Sequence, residues 1–239
     1  MNYMGGKMRQ GKAIANAVAA VVGDKDYYEP FCAAMGAAMA TLSHPKFSGG
    51  GAVLSDSCVP LIGMWKALMS GWAPPDVVTE ETYQEVRRRA DVDDPMFAYC
   101  GFGMSFGGKW WGGYARNGAG TDYALNASRS TLLKASVLLK ACDYREVLPD
   151  DAVIYLDPPY AGRTKPHAYV GLFDHAAFWE HSRSLVKHNT VLVTEFTAPP
   201  DFVVLHSWGD TVVRHHATKG ADGTNECIFV HESQRGLWE

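Results

Sequence analysis

"VIYLDPPYAG", residues 153–162, sets an acid, two prolines and a tyrosine directly behind a run suited to a strand buried on both faces. Val153, Ile154, Tyr155 and Leu156 are the β-branched, aromatic and apolar residues that such a strand uses. The strand ends at Asp157. Each proline fixes its own φ near about −65° and pushes the residue before it out of the helical region. The backbone carrying the Asp157 carboxylate therefore has few conformations open to it. In open parallel sheets ligands bind at the carboxyl ends of the strands, which is where this stretch would place Asp157, the Pro158 carbonyl and the Tyr160 ring. Taken alone, the same residues also suit a capped turn in which Asp157 bonds its own loop and Tyr160 anchors the surface.

Working outward, strands and helices alternate on both sides of this segment. An alanine-rich helix is expected over 11–23, a strand over 26–31, a packed helix over 33–42, a strand ending in an acid over 51–56 and a helix over 59–70. Alternation lapses from about Gly71 to Asp143, where a charged helix ("TEETYQEVRRRA"), a Gly/aromatic stretch and a second helix ("STLLKASVLLKAC") follow one another. It resumes with the Asp-Pro-Pro strand, a helix over 173–187 and strands over 190–196, 202–207 and 226–231. This is the pattern of a doubly wound α/β sheet split by a helical insertion. It assigns 1–70 and 146–239 to the sheet domain and 71–145 to the insertion.

The chain has 239 residues, 47% of them hydrophobic and 20% charged, in the range of an ordinary globular protein. Its apolar stretch at 13–23 is interrupted by Asn16 and falls short of the ~20 residues needed to cross a bilayer. Five cysteines without C-x-x-C spacing and nine histidines without paired spacing, His215-His216 apart, indicate neither a disulfide framework nor a metal site. A reducing cytoplasmic setting is expected. The formal net charge is −4, yet residues 99–140 hold Lys109, Arg116, Arg129, Lys134 and Lys140 against Asp122. Such a locally positive segment suits phosphate contact, because the field at the contacting surface is what matters.

Asp56 closes the second strand, where an acid can accept both hydroxyls of a ribose. The turn after the first strand, "CAAMGAA", has only Gly36, so the glycine fingerprint for a pyrophosphate is missing. A nucleoside cofactor without phosphates, such as S-adenosylmethionine, needs less backbone approach. "YMGGK" near the N-terminus adds Gly5 and Gly6 for a tight turn and Lys7 for an anionic partner such as an amino-acid carboxylate.

In order, Tyr3-Met4-Gly5-Gly6-Lys7, Glu29-Pro30-Phe31, Leu54-Ser55-Asp56, an insertion and Asp157-Pro158-Pro159-Tyr160, the chain resembles the Dam-type adenine-specific DNA methyltransferases of the amino-methyltransferase α group. The resemblance runs over nearly the whole length. It implies a Rossmann-like sheet of seven strands with the last antiparallel, a helical target-recognition insertion and S-adenosylmethionine as methyl donor. The acceptor it implies is the N6 amine of adenine in double-stranded DNA. It also implies a cofactor site drawn from Tyr3, Gly5, Gly6, Lys7, Glu29, Pro30, Phe31, Asp56 and Asp157, and a catalytic tetrapeptide Asp157, Pro158, Pro159 and Tyr160. "SFGGKWWGGYAR" (105–116) resembles the part of the insertion that meets DNA, with Lys109, Trp110 and Arg116 as contacts. Ala33, Ala34 and Met35 stand where family members usually carry glycines, and their added methyl groups would crowd the methionine end of the cofactor.

The tetrapeptide then has a chemical reading. An adenine amine is a poor nucleophile because its lone pair is delocalised into the ring, and two acceptors on its N–H groups favour the tetrahedral geometry that improves it. The Asp157 carboxylate and the Pro158 carbonyl are such a pair, and Tyr160 offers an aromatic face to a base rotated out of the duplex. Direct transfer needs no metal, and no membrane or obligatory protein partner is indicated; the expected location is cytoplasmic, at the nucleoid. Lys109 and Arg116 are expected on phosphates, with Trp110, Trp111 or Tyr114 either wedging into the duplex or packing the insertion's own small core. Two alternatives remain open at this point: the same chemistry on another base or on RNA, and a non-catalytic DNA-binding relative with a decayed cofactor site.

Overall fold

The computed structural model describes residues 1–48, 50–115, 122–161, 172–208 and 225–239. Seven strands form one sheet: β1 (Tyr27–Glu29), β2 (Ala52–Asp56), β3 (Val137–Ala141), β4 (Val153–Leu156), β5 (Thr190–Glu195), β6 (Phe202–Ser207) and β7 (Cys227–His231). Their order is β3-β2-β1-β4-β5-β7-β6. The pairs from β3 through β5 are parallel, while β7 runs antiparallel to both β5 and β6. This is the Rossmann-like α/β sheet of seven strands with the last antiparallel.

The central strands explain why the apolar runs were legible. All residues of β4 and of β5 are buried, which is the condition that produces continuous rather than alternating hydrophobic runs. The helices α1 (Gly11–Ala19), α2 (Gly36–Leu42), α3 (Val59–Met69) and α7 (His175–Val186) lie close to the expected spans. Asp174 starts α7 by accepting the Ala177 amide at 2.9 Å, an N-cap that satisfies one otherwise unpaired donor.

One expectation is corrected. The segment read as a single helix over "STLLKASVLLKAC" is the end of α6 (Asp122–Lys134) followed by β3. Leu, Lys and Ala favour helix, but pairing with β2 from Ala52↔Val137 to Asp56↔Ala141 overrides that preference. The sheet therefore takes its edge strand from within 71–145. The rest of the segment holds α4 (Glu80–Arg89), α5 (Pro95–Ala98), a π-helical turn over Tyr99–Gly103 and a 3₁₀ turn over Phe106–Gly108. The charges of helix α4 suit its ends: Glu80 and Glu81 sit in the first turn and Arg87, Arg88 and Arg89 in the last, each sign facing the helix end that favours it. Among the described residues no helix is long and apolar enough to cross a membrane.

Candidate functional site at the carboxyl edge of the sheet

One edge of the sheet gathers acids. β1, β2 and β5 end at Glu29, Asp56 and Glu195, and Asp157 follows β4. Because β7 is antiparallel, its first residues lie at that same edge, so Glu226, just before it, joins the group. Glu29, Glu195 and Glu226 are all buried, as is Lys7. No group of His, Cys, Asp or Glu able to hold a metal ion is found among the described residues.

Asp157 is held by three side chains. Lys7 Nζ lies 2.9 Å from its Oδ2, the Thr194 hydroxyl donates to its Oδ1 at 2.7 Å, and the Tyr160 phenolic oxygen lies 3.0 Å from the same Oδ1. Tyr155 stands behind Thr194, with the two hydroxyls 2.9 Å apart. Lys7 also reaches Glu226 Oε1 at 3.4 Å and the Gly5 carbonyl at 3.3 Å. Within the chain Lys7 is thus paired with two carboxylates, as a buried ammonium must be to be stable. Burial alone would lower the Lys7 pKa, but Asp157 and Glu226 outweigh it and raise it. The Lys7 segment is seated closely: a Cβ on Gly36 would come within 2.8 Å of the Met8 amide nitrogen.

Tyr160 is fixed by more than its ring. Its phenolic oxygen lies 2.7 Å from Glu226 Oε1, its ring meets Phe196 edge-on at 5.0 Å, and Lys7 Nζ sits 4.7 Å from its centroid. Gln10 Nε2 donates to the other Glu226 oxygen at 3.3 Å. Directly after Tyr160, the Ala161 amide donates to Glu195 Oε1 at 2.6 Å, and the Phe196 amide donates to Glu195 Oε2. Burial pushes Glu195 up to about 7 and Glu29 up to about 8; Glu29 accepts the Tyr27 hydroxyl at 2.7 Å. Burial also raises Glu226.

Asp56 is held differently. Its Oδ2 accepts the Ala33 amide at 3.0 Å and its Oδ1 the Cys58 amide at 2.9 Å. The Ala33 carbonyl in turn accepts the Trp65 indole N–H at 3.1 Å. Ala33 and Met35 have φ of 43° and 59°, the left-handed conformation that favours glycine. Two of the three positions where the family usually carries glycine therefore keep a glycine backbone without glycine residues. Tyr3 faces this region: burial raises its pKa well above 10, and the charges of Asp56 and Asp157 add to the shift. Pro30 is buried. Phe31 packs into the core with Phe178 and stacks on Tyr144 at 5.1 Å. Gly5 takes φ of 86° in the turn before Lys7, and Gly6 donates its amide to the Tyr3 carbonyl at 3.2 Å.

In the insertion, residues 105–114 form a small hairpin, bridged at Ser105 and Tyr114. Lys109 is exposed at its tip. Trp110 lies over Gly101 and packs on Phe97 and Phe102, with ring centroids at 5.3 and 4.5 Å. Trp111 and Tyr114 pack on Tyr83. The reading of Trp110 as a wedge gives way to that of a core residue, since a pocket floored by Gly101 admits the indole. The exposed aromatic of the hairpin is Phe106, at 71%, which sequence reasoning missed because four aromatics of similar chemistry compete within nine residues. Arg129 donates to the Leu68 carbonyl at 2.9 Å, closing α3. Arg116 lies outside the described residues. The hairpin touches the site through Gly108, whose carbonyl accepts the Met4 amide at 3.1 Å and whose Cα faces the Tyr3 backbone.

Comparison with protein-family models and with curated proteins gives no match. Among solved structures the chain is similar to the rRNA methyltransferase aviRa from Streptomyces viridochromogenes, at 15% identity and a TM-score of 0.45, covering 95% of this chain and 86% of that one. It is also similar to a SAM-dependent methyltransferase from Agrobacterium tumefaciens, at 12% identity and a TM-score of 0.42, covering 95% of this chain and 61% of that one. Likenesses this distant leave any assignment of activity to the site itself.

Proposed function

We propose that the protein is an S-adenosylmethionine-dependent amino-methyltransferase that modifies the N6 amine of an adenine flipped out of double-stranded DNA. The observation that carries this reading is the Asp157 carboxylate, held at the tip of β4 by Lys7, Thr194 and Tyr160, with Asp56 two strands away at the tip of β2. The edge also carries Glu29, Asp56, Glu195 and Glu226, whose oxygens offer acceptors to a ligand with hydroxyl and ammonium donors, and S-adenosylmethionine is one. When bound, that cofactor supplies an electrophilic methyl group.

The chain's own residues do the rest. Asp56 would accept the ribose hydroxyls; a carboxylate has about four acceptor sites, and the Ala33 and Cys58 amides fix its orientation. Tyr3, Gly5, Gly6, Glu29 and Pro30 would line the cofactor's place, Phe31 anchors the turn from behind by stacking on Tyr144, and Lys7 holds Asp157 in place. Asp157 and the Pro158 carbonyl would accept the two amine hydrogens, with Pro158 and Pro159 preventing relaxation. The inserted segment is the DNA-reading part, and its exposed Lys109 and Phe106 would meet phosphate and base. Replacing both with alanine should weaken DNA binding, with about 1–3 kcal/mol from the lost ring and a shallower salt dependence from the lost lysine.

The test is incubation of the protein with unmethylated DNA, or with RNA, and labelled S-adenosylmethionine, followed by mass spectrometry of the nucleosides. N6-methyladenine in DNA is expected. Label on guanine, on cytosine or in RNA would move the substrate while keeping the chemistry. No transfer to any of them would leave a DNA-binding protein without catalysis and overturn the reading.

A further inference from the structure

The Asp157, Tyr160 and Glu226 oxygens form a chain with two contacts of hydrogen-bond length, 3.0 Å and 2.7 Å. Both contacts share the Tyr160 hydroxyl, which has a single proton to give. If that proton is directed to Glu226, at the shorter distance, the Asp157 contact is two acceptors face to face; a proton on Asp157 converts it into a second hydrogen bond. The geometry is therefore complete with one proton more than a tyrosine and two carboxylates supply. The charges agree: the Lys7 ammonium lies between two carboxylates, Asp157 and Glu226, so uptake of one proton brings the trio to neutrality in a buried place where net charge is costly.

We propose that Tyr160 and Glu226 form a proton relay in which the Tyr160 hydroxyl passes to Glu226 the proton that Asp157 takes from the methylated amine. The inference rests on the functional reading above. Transfer forms an N–C bond and breaks the donor's S–C bond, whose electron pair stays on sulfur, and the nitrogen is left with one surplus proton. Asp157 accepts it and gives it to the Tyr160 oxygen, while Tyr160 gives its own proton to Glu226 Oε1. Tyr160 ends unchanged, Asp157 returns to its carboxylate and Glu226 ends neutral, to be deprotonated before the next turnover. The groups facing Glu226 are Lys7, Asp157, Tyr160 and the neutral Gln10 amide, and Glu29 faces Lys7 and Asp157 from β1. The burial that raises Glu226 makes it a better resting place for a proton than an exposed carboxylate.

The experiment compares the unaltered protein with Tyr160→Phe, Glu226→Gln and the double variant. Single-turnover methylation should fall about 10²-fold in each single variant, the scale of a lost proton-transfer group, and the double variant should be no slower than either. Methylation by the unaltered protein should rise with pH through one ionisation that Glu226→Gln lacks. In the cofactor-free protein, a carboxyl C=O infrared band that titrates should vanish in Glu226→Gln and shift in Tyr160→Phe, a result independent of turnover. Thermal melting confirms that each variant is folded, and Tyr160→Phe stands as the test if Glu226→Gln is not. No methylation by the unaltered protein would sink the functional reading and the relay with it. Native rates, additive losses or an unchanged infrared band in a protein that does methylate would sink the relay alone.

Discussion

Asp56 and Asp157 stand at the tips of β2 and β4 with β1 between them, and they are held by different kinds of partner. Asp56 takes the backbone amides of Ala33 and Cys58; Asp157 takes Lys7, Thr194 and Tyr160. Backbone amides do not titrate and cannot be removed without moving the chain, so they suit a carboxylate with one constant task, such as gripping a ribose. Side chains can exchange protons and partners. They suit a carboxylate that meets a reacting group.

The largest expected effect breaks the Asp157 side of this comparison. Lys7→Met leaves Asp157 and the buried Glu226 without their shared cation, and removing one partner of a buried pair costs about 3–5 kcal/mol. Urea denaturation should show a loss of that order, smaller at low pH where the carboxylates can protonate. A loss below about 1 kcal/mol at neutral pH would mean that Lys7 is peripheral to the cluster.

A second prediction follows from the buried acids around both aspartates. An unfolded Glu29 ionises near its ordinary 4.5, and burial moves the folded group up to about 8. The folded state therefore binds more protons across that window, and stability falls as pH rises from about 4.5 to 8. Glu195, moved up to about 7, adds to the slope in its lower part. Melting temperatures across this range should decline, and Glu29→Gln should flatten the decline by an amount on the order of a few kcal/mol. An equal slope in that variant would place the linkage elsewhere.

The smallest effect sharpens the Asp56 side. Ala33 holds its amide on Asp56 at a φ of 43°, a left-handed conformation that costs a non-glycine residue about 1–2 kcal/mol. Glycine removes that strain but adds about 0.5–1 kcal/mol of lost freedom on folding, so Ala33→Gly should stabilise by about 0–1.5 kcal/mol. Calorimetric cofactor affinity should rise alongside if the alanine methyl crowds the pocket. Destabilisation would show that the methyl group packs usefully.

These contrasts also mark what the sequence could convey. β4 and β5 were readable because burial on both faces leaves an unbroken apolar run, and Asp157 was readable because two prolines flag it. β3 was not, since an edge strand of Val, Leu, Lys and Ala shows its nature only by pairing with β2. Glu195 is signalled too: the strand "TVLVTE" ends in an acid, as β2 ends at Asp56 and β4 is followed by Asp157. Glu226 carried none until the antiparallel course of β7 turned it to the same edge. Trp110 and Phe106 differ only in which ring the floor at Gly101 admits, a matter of packing that no local pattern encodes.

The division of labour between the two aspartates is tested most directly by one paired measurement: single-turnover methylation at saturating S-adenosylmethionine, with cofactor affinity measured alongside, for Asp56→Ala and Asp157→Asn. Asp56→Ala should lose about 1.5–3 kcal/mol of cofactor affinity, the scale of hydrogen bonds to a charged group, and recover most of its rate at saturation. Asp157→Asn should bind cofactor and DNA yet transfer about 10²–10³-fold more slowly, the usual cost of an oriented acceptor or donor in the transition state. Native transfer by Asp157→Asn, or an Asp56→Ala protein whose affinity is unchanged, would contradict the account.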